Sequence, residues 1–272
     1  MSDWIVGNEL YIRLGFFLTI FTLVAIGELI APRKRLTGSK PTRWCSNLSI
    51  VVFNSITIKL LFPILAVDVS YIATENQWGL IHWFDIPAPV AIVTAIILLD
   101  CAIYFQHVLF HHVPFLWRLH RMHHTDVDID VTTGARFHPL EIILSMIFKI
   151  LIVVLLGAPV VSVIIFEVLL NLTAMFNHGN VKIPKKIDKY VRYFLVTPDV
   201  HRIHHSVDGT ETNRNFGFCL TWWDLIFNTY QSQPKQGHTN MTIGLTIFRK
   251  PHESRLKNML TQPFRDGKSE SP

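Results

Sequence analysis

The sequence predicts an all-α fold, with multi-span membrane helices beneath a cytoplasmic cap of histidine-bearing helices. Three observations predict it. Half of the 272 residues are hydrophobic and the mean hydropathy is +0.32, and the apolar residues gather into runs approaching bilayer length. Lys and Arg concentrate on one side of those runs. Eight of the 14 histidines lie in three short clusters: His107-x3-His111, His120-x2-His123-His124 and His201-x2-His204-His205.

The apolar runs cover residues 14–30, 48–67, 90–108, 142–156 and 160–176. Before the first run stand Asp3 and Glu9 with only Arg13. That segment lacks the basic region of a signal peptide and no small-residue cleavage site follows, so a permanent anchor is expected. Arg33, Lys34, Arg35, Lys40 and Arg43 come next, whereas residues 71–89 contain Glu75 and Asp85 but no Lys or Arg. The positive-inside rule makes the first loop cytoplasmic and the second not. Trp78 and Trp83 in the second loop suit the membrane interface, and Pro87 and Pro89 suit a helix start. The third run returns the chain to the cytoplasm where the histidines begin. Arg118, Arg121, Lys182, Lys185, Lys186 and Lys189 agree with that side.

The last two runs are shorter than the ~20 residues of a straight span. Only Gly157, Ala158 and Pro159 separate them, so residues 142–176 form a tight helical hairpin that enters deeply, and full crossing is not required. Lys149 and Glu167 lie almost symmetrically about Ala158 and are expected to face each other as an ion pair, because charges inside a membrane are costly unless paired. Lys59 has no evident partner and is expected to snorkel. Thr197-Pro198-Asp199 reads as a helix start, with Thr as N-cap, Pro at the first position and an acid in the first turn. The chain is one domain in three segments: anchor helices over 1–90, a di-metal catalytic segment over 91–231, and a polar cytoplasmic tail over 232–272, expected to be poorly ordered.

The formal net charge is +5 and the pI about 9.2. The basic residues are juxtamembrane, so attraction to anionic lipid accounts for them and nucleic acid is not a partner. Cys45, Cys101 and Cys219 are scattered and suggest neither a disulfide framework nor a Cys-x2-Cys zinc site.

Histidines three or four residues apart share a helix face. Each His-x2-His-His run is therefore expected to present three imidazoles to one point, and two runs to grip a pair of ions. Structural zinc takes four ligands and usually includes cysteine; eight histidines exceed what one ion needs. Imidazole suits iron, zinc, copper and nickel. Two iron(II) ions on nitrogen ligands with open positions can activate dioxygen. Asp126, Asp128 and Asp130 lack the glycine and distal glutamate of a calcium loop and read as solvated. His112 points about 100° from His111 and reads as outer or surface; His82, His238 and His252 read as exposed.

These runs resemble the fatty acid hydroxylase / sterol desaturase superfamily when taken with Asp100, Arg136-Phe137-His138-Pro139-Leu140-Glu141, Asn177-His178-Gly179-Asn180, Thr197-Pro198-Asp199 and Trp223-Asp224 near Phe227 and Thr229. The resemblance covers residues 95–230, and its motifs are specific. It implies an integral-membrane di-iron oxygenase that hydroxylates or desaturates a lipid C–H bond, such as that of a fatty acyl chain or sterol, with zinc able to replace iron on purification. It implies no particular lipid. The family's ligand positions match His107, His111, His120, His123, His124, His201, His204 and His205, and a further one matches His178. Fatty acid 2-hydroxylases carry another histidine where this chain has Ala174. For His178 and His138, ligation and outer hydrogen bonding both stay open. Asp100 is expected to orient a ligand imidazole, with Glu141 and Asp224 as further candidates. The resemblance covers no cytochrome b5-like region, so electrons are expected from an external ferredoxin, cytochrome b5-like protein or reductase. The 213–217 loop, with Trp222 and Trp223, is expected to pack beside the metals. A bacterial inner membrane is expected rather than endoplasmic reticulum, from the short loops and the lack of a retrieval signal. The alternatives are a His-rich membrane metal-binding or transport protein and a zinc-dependent lipid hydrolase.

Overall fold

A computed structural model describes residues 2–267 other than Asp85; residues 268–272, the end of the expected tail, lie outside them. The described residues form helices and loops, with isolated bridges and no strand. In chain order the α-helices are α1 (Ser2–Gly7), α2 (Glu9–Ile30), α3 (Lys40–Leu61), α4 (Ala66–Glu75), α5 (Ala88–His112), α6 (Pro114–His124), α7 (Pro139–Leu156), α8 (Val160–Asn177), α9 (Lys185–Val191), α10 (Pro198–His204), α11 (Gly209–Thr212), α12 (Trp222–Ile226), α13 (Gly237–Asn240) and α14 (Leu256–Thr261). Five helical segments are long and apolar enough to cross a membrane, and the chain is an integral membrane protein. α2 and α3 expose Leu14, Leu18, Leu23, Phe53, Ile56 and Leu60 on their outer faces, the side chains a lipid environment would cover.

The expected second run does not form one helix. α3 stops at Leu61, because the residue before Pro63 disfavours the helical region. α4 restarts with the Asp68 carboxylate accepting from the Leu65 N–H at 2.8 Å. The hairpin α7–α8 turns at Gly157, whose φ of 64° closes α7 in the left-handed conformation. A Cβ on Gly79 would lie 2.0 Å from the Gly157 nitrogen, so the 76–84 segment sits directly on this turn. Ala91, Ala95 and Leu99 of α5 pack with Val153 and Leu156 of α7 and Val163 and Phe166 of α8; the alanines let the backbones approach closely. Lys149 Nζ meets Glu167 Oε1 at 2.6 Å as expected, and Arg13 adds a contact to Glu167 Oε2 at 2.9 Å.

Three expectations about the cap are corrected. Asp126, Asp128 and Asp130 are not solvated: all three are buried. Arg43 binds Asp126 through Nε and Nη2 at 2.7 and 2.9 Å and Asp130 through Nη1 at 2.7 Å. Asp128 accepts from the Thr37 and Gly38 N–H groups. Burial raises the Asp126 carboxyl, but Arg43 and Arg136 outweigh it and hold it down to about 2. The tail is built into the fold through residue 264: Met259 of α14 packs on Ile50 and Met122, and the buried Gln262 carbonyl accepts from Arg121 Nη2 at 2.6 Å. His238 is likewise buried, with Nε2 3.7 Å from Asp199 Oδ2, whereas His252 is half exposed.

Candidate metal centre

Nine histidines converge in two groups. His107, His111, His120, His124 and His204 form one, and His123, His178, His201 and His205 the other; within each, one ligand atom per residue lies within 4.8 Å of the rest. The partition corrects the expectation that each run serves one point. Neighbouring residues on a helix diverge by about 100°, whereas positions four apart nearly align. On α6, His120 and His124 therefore reach the first group and His123 the second. On α10 the order inverts: His201 and His205 reach the second group and His204 the first. α5 adds the aligned pair His107 and His111, and His178 caps the end of α8.

Four of the ring nitrogens facing away from the groups are held by short hydrogen bonds. His107 Nδ1 donates to the Phe216 carbonyl at 2.7 Å, His204 Nδ1 to Arg214 at 2.8 Å, and His178 Nδ1 to Ala174 at 2.6 Å. His120 Nδ1 donates to Glu141 Oε1 at 2.6 Å. These bonds fix the tautomers so that Nε2 lone pairs face inward. His178 Nε2 stands 3.0, 3.0 and 3.2 Å from Nε2 of His123, His201 and His205. Lone pairs so placed repel unless a cation lies among them, and roughly 3 Å is the spacing of adjacent nitrogens around an ion held at about 2.1 Å. Nε2 of His111 and His204, on the ring side opposite the Nδ1 that each engages with Asn213 and Arg214, is buried without a hydrogen-bond partner. The donor set fits metal ions.

Burial disfavours the charged form of the rings on the loops and short helices. It pushes His123, His124, His201 and His205 well below the usual histidine range, His178 down to about 4 and His204 to about 3. Phe137 stacks on His123 at 4.6 Å, Phe216 meets His107, His111 and His204 edge-on, and Trp117 covers His111 at 4.8 Å. The 213–217 loop packs beside the first group, as expected, and Trp222 lies away from it, its Nε1 donating to the Tyr193 carbonyl.

Of the carboxylates expected to orient imidazoles, Glu141 does so directly. Asp100 does not: it accepts from the Cys219 and Leu220 N–H groups and from Trp223 Nε1 at 2.8 Å, anchoring the loop instead. Asp224 accepts from the Phe216 and Gly217 N–H groups, so it reaches His107 only through Phe216. His138 stands outside both groups. Its Nδ1 accepts from the Leu140 N–H to cap α7, and its Nε2 donates to the Leu260 carbonyl at 3.2 Å. Thr197 caps α10 without a side-chain bond, and Asp199 pairs with Arg33 at 2.8 Å.

A cavity of about 470 Å³ lies beneath the first group. His107, His120 and Glu141 line its top, and Asn54, Gln106, Ser145, Lys149 and Glu167 are among its other walls. Asn54 and Gln106 escaped the sequence reading, which singled out charged residues inside the apolar runs and passed over uncharged polar ones.

The fatty acid hydroxylase family model matches residues 92–229, just over half of the chain. Ornithine lipid hydroxylase OlsE of Rhizobium tropici is 25% identical over 85% of this chain and 70% of its own length. Alkylglycerol monooxygenase of Homo sapiens is 24% identical over 63% of the chain, and cholesterol 25-hydroxylase of Mus musculus 24% over 65%. The chain spans only 38% and 63% of those two proteins. No solved structure gives a significant match. With its matching segment running through both histidine groups, the chain belongs to the fatty acid hydroxylase family, oxidoreductases that act on lipids.

Proposed function

We propose that the nine histidines hold two iron ions and that the protein uses dioxygen and external electrons to hydroxylate a lipid C–H bond. The carrying observation is the double group of buried, converging imidazoles above a cavity. Five nitrogens would hold one ion and four the other. Iron so bound supplies the dioxygen activation needed to take hydrogen from an unactivated C–H bond.

The protein's own groups do the rest. Glu141 and the carbonyls of Phe216, Arg214 and Ala174 hold the imidazoles in their tautomers. Phe137, Phe216 and Trp117 shield the rings from water. The cavity walls hold the lipid against the first group, with His107 and His120 nearest. The names of the relatives point to ornithine lipid, alkylglycerol or cholesterol as the kind of molecule oxidised. The same names support hydroxylation over desaturation. The basic first loop supports a cytoplasmic catalytic face, served by a ferredoxin, a cytochrome b5-like protein or a reductase, in a bacterial inner membrane. The histidines follow the ends of spans, whereas a transport path would place ligands at mid-membrane.

The test is metal content and oxygen uptake of purified protein loaded anaerobically with iron(II), then given a reductant and a lipid extract. Two irons per chain, with lipid-dependent uptake lost in His123→Ala and His204→Ala, is the expected result. One tightly held zinc and no uptake overturns the proposal.

A further inference from the structure

Asp100 stands midway along the long apolar helix α5 and sets the depth of the segment that returns to it. It lies seven residues before His107, about 10 Å deeper along the helix. The Cys219 and Leu220 N–H groups and Trp223 Nε1 all donate to its carboxylate, at 3.2, 3.1 and 2.8 Å. α12 is therefore held inside the span of α5, below the level of the histidines. Phe227 at its end stacks on Tyr104 and meets Phe105 at 4.8 Å.

What this segment presents outward is apolar. Leu225, Ile226 and Phe227 are exposed, Ile226 by 64%. Residues 193–195 pair with the same segment. The Val196 N–H donates to the Cys219 carbonyl, the Thr221 N–H to Phe194, and Trp222 Nε1 to Tyr193 at 2.9 Å. Tyr193, Phe194 and Leu195 are exposed as well, Phe194 by 61%, and Phe194 meets Trp222 edge-on at 6.3 Å. Such internal backbone bonds are what a segment in lipid requires.

The surface continues the outer side of α5. Leu98, Phe105 and Leu109, spaced by seven and four, share one exposed face of that helix, and Phe105 is the residue that Phe227 touches. A basic border adjoins it. On α9, Lys185, Lys186 and Lys189 are exposed on one side, Ile187 and Tyr190 on the next, and the helix's one acid, Asp188, is taken by Arg192. A contiguous apolar patch facing water is unusual. Rimmed by lysines and by Tyr and Trp, it has the composition of an element lying at a membrane boundary.

We propose that α9, residues 193–195 and α12 are sunk into the leaflet nearest the histidine groups. Phe194, Leu225 and Ile226 lie among acyl chains there, and Lys185, Lys186 and Lys189 hold anionic headgroups. The occupant of this surface is the bilayer itself, so the cap is fastened to the membrane on its flank as well as from beneath. None of this depends on the metal chemistry.

The test places a nitroxide label on the full-length protein at Phe194→Cys, Ile226→Cys or Asp266→Cys, the last a cap side chain 93% exposed. Cys45→Ser and Cys101→Ala remove the accessible native thiols, and Cys219 is buried. In nanodiscs of phosphatidylcholine and phosphatidylglycerol, power saturation compares collisions with dioxygen, which concentrates in lipid, and with a water-soluble nickel chelate. Dioxygen should dominate at 194 and 226 and nickel at 266. Nickel dominating at 194 and 226 overturns the proposal, because the surface then faces water. Low access to both reagents overturns it too, because a second copy or a partner protein then covers the patch. Positions 194 and 226 report independently, so one misfolded variant leaves the other to decide. Native mass spectrometry tests the headgroups. The wild type should retain phosphatidylglycerol over phosphatidylcholine, and Lys185→Gln, Lys186→Gln and Lys189→Gln should each lower that preference about fivefold, as for a cation near an anionic surface. An unchanged preference in the triple variant overturns the headgroup assignment.

Discussion

Lys149 and Glu167, 18 residues apart on the two arms of the α7–α8 hairpin, meet at 2.6 Å inside the membrane segment. Glu167 is shared, since its other oxygen meets Arg13 of α2 at 2.9 Å. One carboxylate thus joins three helices, and the consequences of removing each partner differ. Glu167→Ala strands two cations and should destabilise by about 3–5 kcal/mol. Lys149→Met leaves Glu167 with Arg13 and should cost less. Denaturant unfolding in detergent ranks the two; equal losses would contradict the shared arrangement.

The two histidine groups should empty separately. His107→Ala removes a ligand of the first and His178→Ala one of the second. On the two-iron proposal, each variant should retain about one ion per chain where the wild type holds two. Elemental analysis after anaerobic loading decides it, and full occupancy in His178→Ala would remove His178 from the ligand set.

Glu141 should act on the metal through His120 alone. Glu141→Gln keeps the side chain's shape but replaces the carboxylate that receives the His120 Nδ1 proton. Metal affinity of the first group should fall by about 10–100-fold, the range for such supporting partners, while the second group is unchanged. Competition with a graded chelator reads both.

His238 should make the fold sensitive to mild acid. Burial lowers its pKa to about 4, opposed by Asp199. An unfolded histidine takes up its proton near pH 6.5, so between about 6.5 and 4 the unfolded chain binds more protons than the folded one. The His238 contribution to stability should therefore fall by about 1–3 kcal/mol as pH drops through that window, and stay constant below it. His238→Phe should remove its share of this slope in unfolding curves taken from pH 7 to 4.

What the sequence made legible was whatever depended on local spacing. Runs of apolar residues marked the spans, and the near symmetry of Lys149 and Glu167 about Ala158 foretold their contact. Helical periodicity also carried the histidines, but the three-residue and four-residue spacings were merged into one face when they diverge enough to serve two groups. What stayed hidden depended on distant partners. The three acids after His124 look solvated until Arg43, 83 residues before Asp126, is placed among them. The tail looks loose until Met259 is seen between Ile50 and Met122. Asp100 has the spacing of a partner for His107, yet the returning loop at Cys219 and Trp223 takes its oxygens first.

The inverted order of histidines on α6 and α10 makes each helix a crossbar between the two groups. The distance separating two bound ions is then set by the pitch of rigid backbone, and flexible loops have no say in it. A shift of either helix displaces ligands on both sides at once, so the pair can be loosened or tightened only together.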